Sequence, residues 1–556
     1  MPMKIALCQI NPVIGDLRGN GLLIADAARE ARMKGADLAV FSEMCVTGYP
    51  PLDLLDYPGF LASVDRAVSS IASMVPSDIG ILIGAPIRNN DAVGRRLFNA
   101  ALLLEGGAVV DQIHKSLLPT YDVYDDRRYF EPSNNRRCMD WRGVRLGVHI
   151  CEDMWNSDSS ADLRMYDADP VAELAAGGAD LFINLSATPF ASGNQTRRSR
   201  IVERICRKYQ RPFLLVNQVG ANTELVFDGD SRAYFGDGRV AVAAPSFEEA
   251  VCIWDTGSSQ TASIDIPDVA AVVHRALVLG MQDYMRKSGA FTRVVIGVSG
   301  GIDSAVTCAI AVEALGAENV VGVTMPSEFT AASSLEDARR LAQNLRIELH
   351  EIPISSAFDT VRDMLSGVFS GTQAGVAEEN IQTRLRGVIL MAMSNKYGYL
   401  LLATGNKSEI AVGYMTLYGD TGGCIGVLSD VFKTEVYELA HFINRQTGSR
   451  VIPQRIIDKP PSAELYPGQV DQDELPPYEK LDLILRLYIE DQLDMEPIVE
   501  RTGFDRILVQ DILRRVDASE FKRRQAPPGL RVSRKSFGTG RLMPVAMRWD
   551  HSSAPE

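Results

Sequence analysis

The sequence predicts a mixed α/β protein of two domains, and three observations carry that expectation. The chain has 556 residues, more than one hydrophobic core usually organises. Short apolar runs alternate with helical patterns in both halves. The pattern changes at 263–272, "SIDIPDVAAV", where Pro267 marks a break. Before it, hairpins mix with β-α units. After it, strand and helix alternate, which predicts a parallel, doubly wound sheet with ligands at the carboxyl ends of its strands. The implied domains are 1–264 and 270–556.

In order, "KIALCQI" (4–10) is a buried strand, and "NGLLIADAAREARMKGADLAVFSE" gives a helix and a strand ending at Glu43. "GILIGAPI" is a strand, and "FNAALLLEGGAVVDQIHK" is a hairpin turning at Gly106-Gly107, with Lys115 at its far end. "VRLGVHIC", "ADLFINLS" and "PFLLVNQVG" are further strands, and "AYFGDGRVAVAA" is a second hairpin. In the second half a helix, "VAAVVHRALVLGMQDYMRKSG", precedes "RVVIGVSGGIDSAVTCAIAVEALG", a strand, a Gly-rich turn and a helix. "NVVGVTMP" is the next strand, and "SLEDARRLAQNLRIELHEIPI" is helix then strand. Five prolines make 458–480 an extended loop.

Composition excludes several classes. Hydrophobic residues at 46% and charged residues at 23% describe a globular chain. A net charge of −14 argues against wrapping nucleic acid, which needs clustered cations. No apolar stretch is long enough to span a bilayer, and "MPMKIALCQINP" lacks the features of a signal peptide. Eight scattered cysteines without a CxxC pair predict reduced thiols and a cytoplasmic protein.

The stretch "VHICEDMW" (148–155) places Cys151 where a strand gives way to a loop, followed at once by two acids. Most cysteines are buried structural residues. Two other strand ends change that balance. Lys115 in "QIHKSLLP" can stabilise a thiolate and later an oxyanion, and Glu43 in "FSEM" can take the thiol proton and give it to a leaving amine. The acids after Cys151 are then expected to orient backbone or neighbouring side chains. Glu, Lys and Cys in that order resemble the nitrilase superfamily, whose αββα sandwich cleaves amide C–N bonds through a thioester. "LLPTYDVYDDRRYFEP" (117–132) is similar to its glutaminase domains, where the residue matching Tyr121 holds glutamine. In "NLSATPFASGN", Thr188 stands where that family has a serine and Asn194 where it has a cation. The resemblance implies glutamine-binding roles for Thr188 and Asn194, with Arg197 or Arg198 as substitutes for the cation.

In the second half, "GVSGGIDS" comprises Gly297, Val298, Ser299, Gly300, Gly301, Ile302, Asp303 and Ser304. Backbone N–H groups of such a loop and the helix after it favour an anion. No Lys-Ser/Thr follows at Walker A spacing. Ser299 and Ser304 can donate to phosphate, and Asp303 is suited to Mg²⁺, a hard cation that takes carboxylate and phosphate oxygens. The SGGxDS form resembles the pyrophosphate loop of enzymes that make adenylated intermediates. With "EENIQTRLRG", "LLATGNKSEIAVGYMTLYGD", "VFKTEVYELA", "KPPSAEL", "DELPPYEKLD" and "FKRRQAPPGLRVS" in order, nearly the whole chain resembles the long, glutamine-dependent form of the NAD⁺ synthetase family. That resemblance implies ATP contacts for Thr404, Lys433 and Ser462, and deamido-NAD⁺ contacts for Asn380, Arg384, Glu409 and Lys522. It also implies Asp303 and Glu409 as Mg²⁺ ligands. Single-domain relatives carry a lysine at Leu417 and an acid near Cys424, so those two roles do not transfer. Taken singly, most of these residues would be solvated or structural; their order after the loop decides.

The expected fold is therefore an N-terminal nitrilase-like αββα sandwich and a C-terminal Rossmann-like domain of the adenine nucleotide alpha hydrolase type. The expected partners are L-glutamine, ATP and deamido-NAD⁺, in a homo-oligomer that the resemblance makes an octamer. Because ammonium is no nucleophile, ammonia is expected to travel through an internal tunnel. The rival readings are another glutamine amidotransferase with the same ATP loop, and a non-catalytic nucleotide-binding regulator.

Overall fold

The structure, a computed structural model, describes residues 2–91, 93–157, 165–264, 268–549 and 551. It divides into two compact units, Met1–Pro267 and Asp268–Glu556. Pro267 itself lies outside the described residues.

The first unit holds strands Lys4–Gln9 (β1), Leu38–Val40 (β2), Gly80–Arg88 (β3), Leu97–Glu105 (β4), Ala108–His114 (β5), Met139–Trp141 (β6) and Val144–Ile150 (β7). Leu181–Ser186 (β8), Phe213–Asn217 (β9), Val219–Asn222 (β10), Leu225–Asp228 (β11), Arg232–Tyr234 (β12), Val240–Ala243 (β13) and Ala250–Asp255 (β14) follow. Two six-stranded sheets form, in the orders β14-β1-β2-β3-β4-β5 and β13-β12-β9-β8-β7-β6. The period of two in β1 explains the layering. Ile5 and Leu7 join a core that also holds Val148, Ile150, Ile183 and Leu214 of the second sheet. Ala6, Cys8 and Ile10 face helices Leu17–Met33 and Pro58–Met74 with Ile24, Ala28 and Ile71. On the far side Phe182 and Leu215 pack on Ile201 and Ile205 of helix Asn194–Tyr209. Both faces of each sheet are thus covered, which is why the strands read as continuous apolar runs. The expected αββα sandwich is present.

Gly106 and Gly107 turn the β4–β5 hairpin at φ +60° and +86°, values glycine adopts freely. Strand β2 ends at Val40, so Glu43 sits three residues beyond the strand rather than at its end. Lys115 follows β5 directly, and Cys151 follows β7.

In the second unit, Val294–Gly297 (β15), Val320–Thr324 (β16), Glu348–Glu351 (β17), Leu400–Ala403 (β18) and Ile425–Gly426 (β19) form one parallel sheet ordered β17-β16-β15-β18-β19. The order reverses at β15, so the loops leaving β15 and β18 diverge and open a crevice, where doubly wound folds place ligands. Leu390 and Met393 of helix Val376–Tyr397 pack on Val295, Val323 and Leu401 of this sheet. A helical cluster built on Leu481, Ile498, Ile512 and Leu513 completes the unit. The expected loop at 458–480 is irregular from Lys459 to Pro477 except for a turn at Asp471–Asp473; Asp458 ends one helix and the last residues, from Tyr478, already belong to another. All eight cysteines are free. Among the described residues, no helix is long and apolar enough to cross a membrane.

Candidate active sites

In the first unit, β2, β5, β7, β8 and β9 run in one direction within their sheets, and the segments that leave their carboxyl ends carry the polar centre. Lys115 is 1% exposed and its Nζ donates to Glu43 Oε1 at 2.7 Å and to Asp126 Oδ2 at 2.6 Å. Burial alone would strip its proton, but Asp126 and Glu43 outweigh that and hold the ammonium well above its ordinary range. Glu43 also accepts from Asn99 Nδ2 at 2.6 Å and, on Oε2, from the Ala187 N–H at 3.1 Å. Tyr49 donates to Asp126 at 3.2 Å.

Cys151 is buried and held at φ +43°, a left-handed conformation that a side chain rarely adopts and that marks a constrained elbow. Its Sγ lies 3.4 Å from Thr188 Oγ1. Burial and the Glu43 charge push the thiol far above its ordinary value, while Lys115 and Thr188 pull the other way. Burial and Glu43 thus disfavour the thiolate in the resting site. That leaves deprotonation to a base, the role expected of Glu43.

The two acids after Cys151 have separate tasks. Asp153 accepts from the N–H groups of Ile150, Ser116 and Leu117 at 3.0, 3.0 and 2.7 Å, tying the Cys151 elbow to the segment that carries Lys115. Burial raises its pKa to about 6. Glu152 accepts from Tyr121 Oη at 2.9 Å and from Tyr166 Oη at 3.1 Å, and burial raises it to about 7. Tyr121 is therefore anchored beside the nucleophile while remaining 38% exposed. Asn194 opens helix Asn194–Tyr209. Arg198, one candidate for its missing charge, is instead buried on Asp228 and Asp230 at 3.1 and 3.0 Å. Arg197 lies over the Trp155 ring, on the turn that begins at Cys151. The sequence reading missed Asp126 and Asn99. Asp126 lies within the quoted "YDVYDDRRY" stretch, but nothing in that run distinguishes it from Asp122 or Asp125.

In the second unit a cavity of about 410 Å³ occupies the crevice at β15 and β18. Gly297, Val298, Ser299, Gly301, Ile302, Asp303 and Ser304 line it, as do Asn380, Thr404, Glu409, Lys433, Ser462 and Lys522. Gly300 does not. Its φ is +76°, and a Cβ there would stand 2.2 Å from the Ser334 carbonyl oxygen, so the loop closes only with glycine. The loop is braced internally: Ser304 Oγ accepts from the Ser299 N–H at 3.3 Å and donates to the Gly301 carbonyl at 3.1 Å.

Lys433 Nζ donates to Asp303 Oδ2 at 2.6 Å and to Glu409 Oε1 at 3.0 Å. Burial raises Glu409 to about 8 despite Lys433, with Asp303 adding to the rise. Asn406 Nδ2 holds the other Asp303 oxygen at 2.9 Å. Thr416 donates to Asn380 at 2.6 Å, Ser462 donates to the Gln469 carbonyl at 2.5 Å, and Lys522 donates to the Gly413 and Met415 carbonyls. Arg384 is not part of the cavity wall: it is exposed and donates to the Leu417 carbonyl at 3.1 Å, whereas Arg386 lines the cavity. A helix turns about 100° per residue, so a two-residue step swings a side chain to another face. Lys459, Glu464 and Asp471 also line the cavity and were not singled out. Among the described residues, no group of three or more His, Cys, Asp or Glu could hold a metal by itself. The Asp303 and Glu409 carboxylates nonetheless converge on one cation, Lys433, and offer hard oxygen donors of the kind Mg²⁺ takes.

The chain matches the carbon-nitrogen hydrolase family over residues 4–265 and the NAD synthase family over 273–526. It is 42% identical to the glutamine-dependent NAD(+) synthetase of Synechocystis sp., covering 98% of each chain. It is 39% identical to that of Thermotoga maritima, covering 98% of this chain and 99% of the other. A solved structure of the glutamine-dependent NAD⁺ synthetase from Acinetobacter baumannii in complex with ADP is 35% identical, with a TM-score of 0.78 and all of both chains covered. With an amide-hydrolase unit and a nucleotide-loop unit in one chain, and full-length likeness to these enzymes, the chain belongs to the glutamine-dependent NAD⁺ synthetases.

Proposed function

We propose that residues 1–264 release ammonia from L-glutamine and that residues 270–556 use it, with ATP, to convert deamido-NAD⁺ to NAD⁺. The observation that carries the first half is the Lys115 ammonium held between Glu43 and Asp126, with Cys151 at the neighbouring strand end 3.4 Å from Thr188 Oγ1. Glu43 takes the thiol proton as Cys151 Sγ attacks the side-chain amide carbon of glutamine. Lys115 stabilises the oxyanion, and Glu43 protonates the departing nitrogen, leaving a thioester. Glu43 then activates water, which releases glutamate. Tyr121, bonded to the Glu152 that follows Cys151, and Thr188, 3.4 Å from Cys151 Sγ, support a role in holding glutamine. Asn194 and Arg197 are left as candidates for its carboxylate, with Arg198 already occupied.

In the second unit, a carboxylate is too poor an electrophile for ammonia. ATP therefore adenylates the nicotinate carboxylate of deamido-NAD⁺ and releases pyrophosphate, and ammonia displaces AMP. The 297–304 loop supplies N–H groups to phosphate, and Lys433 offsets its charge. Thr404 and Ser462 complete the ATP side of the cavity, and Asn380, Glu409 and Lys522 the dinucleotide side. Arg386 is better placed than Arg384 for a substrate contact. Asp303 and Glu409 would hold Mg²⁺, which when bound neutralises phosphate charge. Homo-oligomerisation accompanies this reading through the family resemblance, and a cytoplasmic setting through the scattered, unpaired cysteines.

The deciding experiment follows NAD⁺ and AMP with deamido-NAD⁺, ATP and either glutamine or an ammonium salt. Cys151→Ala should abolish glutamine-driven synthesis and keep ammonium-driven synthesis within about threefold of wild type. Loss of both would refute the division of labour. AMP formation with xanthylate or aspartate in place of deamido-NAD⁺ would point to a different amidotransferase.

A further inference from the structure

Arg198 is held by acids of its own unit, and that pairing has a consequence for Cys151. Its guanidinium donates to Asp228 at 3.3 and 3.1 Å, to Asp230 at 3.0 Å and to the Gly229 carbonyl at 3.3 Å. Asp228 Oδ1 and the Gly229 carbonyl accept from Asn217 Nδ2 at 3.1 and 3.0 Å. This fixes which way the Asn217 amide faces. Its Oδ1 is left to accept the Thr188 N–H at 2.9 Å. Turned over, the amide would set its NH₂ against that N–H and its oxygen against a carboxylate. Thr188 in turn puts its hydroxyl 3.4 Å from Cys151 Sγ, and the preceding amide, Ala187 N–H, donates to Glu43. Asn217 is fully buried, and Asp228 and Arg198 are nearly so, which makes each misdirected donor costly.

We propose that Asn217 is a positioning residue of the glutaminase centre: held by Asp228 and Arg198, it sets the 187–188 segment that presents Thr188 to Cys151 and an amide to Glu43. This rests on the glutaminase reading above. Asn217 lies 66 residues from Cys151 in sequence, at the end of β9, and touches neither the thiol nor the base itself.

The test is a double-mutant cycle on the full chain with Asn217→Ala, Thr188→Ala and both together. Ammonia release from glutamine is measured alongside the pH profile of Cys151 alkylation, read by peptide mass spectrometry. Each single change should lower kcat for glutamine by roughly 10- to 100-fold, as sub-ångström misplacement of a reacting group does. The alkylation midpoint should move to higher pH in both, because the thiolate loses the Thr188 hydroxyl. The double variant should lose clearly less than the product of the two single losses, since Asn217 acts in part through the Thr188 hydroxyl and in part through the Ala187 amide. Multiplicative losses, an unmoved alkylation midpoint, or a glutaminase rate within twofold of wild type would each overturn the proposal. If Asn217→Ala does not fold, Asn217→Asp, of the same size, enters the same cycle under the same criteria. A wild-type protein that releases no ammonia from glutamine would instead sink the glutaminase reading, and this inference with it.

Discussion

At the scale of single residues, charge in the first unit is managed by sharing. One ammonium serves two carboxylates, so removing either leaves a single buried ion pair and takes a hydrogen-bond partner from Lys115. Asp126→Asn should cost about 1–3 kcal/mol of stability in denaturant titration, the usual range for removing one partner of a buried hydrogen bond. It should also slow ammonia release at least tenfold, because Lys115 loses a partner that fixes its position. Glu152 gives a pH prediction. Its folded carboxyl titrates near 7, against 4.5 when unperturbed, because burial penalises the charge. The native state therefore holds the proton longer than the unfolded chain does. Stability from this group is complete below about 4.5 and is lost as pH rises through about 7. Glu152→Gln removes the titration while keeping an oxygen for Tyr121. The melting temperature of the variant minus that of wild type should thus become more positive between pH 4.5 and 7. A difference that stays flat across that window would show that Glu152 is not strained. Residue types were readable in the sequence, since Glu43, Lys115 and Cys151 stand at strand exits with the right chemistry. Asp126 was not, because its part depends on how the 117–132 loop folds back over Lys115.

At the scale of elements, the two Gly-containing turns behave differently. Gly106-Gly107 has open space around it, so its glycines serve backbone conformation alone. Gly300 has both a positive φ and the Ser334 carbonyl where a Cβ would be. Gly300→Ala should therefore distort the 297–304 loop and raise the KM for ATP at least tenfold in an AMP-release assay. Basal glutamine hydrolysis should persist. The alternating apolar pattern made this strand-turn-helix legible. The packing of Ser334 against the turn was not, because it joins elements 34 residues apart. The same limit explains Arg384 and Arg386: the sequence places both on one helix, but only its docking on β15 and β18 chooses the side that faces the cavity. Within the inter-sheet layer of the first unit, Ile183→Ala should cost about 2–5 kcal/mol in chemical denaturation, as truncations in a closed core do.

At the scale of the molecule, two units divide one reaction between chemistries with different needs. On the proposed reading, amide hydrolysis draws on Glu43, Lys115 and Cys151 of the first unit, whereas adenylation brings triphosphate charge that Asp303, Glu409 and Lys433 would accommodate with a cation. Removing divalent metal with a chelator should therefore stop AMP formation and leave glutamine hydrolysis measurable, and excess Mg²⁺ should restore the first. Loss of both activities, unrestored by Mg²⁺, would contradict that division. The sequence by itself determined the fold class, the presence of two α/β units and the family, because periodicity and ordered motifs are local properties that survive without contacts. Tertiary structure alone decided which charges are paired: that Arg198 is held by Asp228 and Asp230, that Lys115 answers to Asp126 as well as Glu43, and that burial raises the Cys151 thiol. Burial sets the electrostatic cost of each of these groups, and burial is a property of the assembled layers, not of any one stretch of chain.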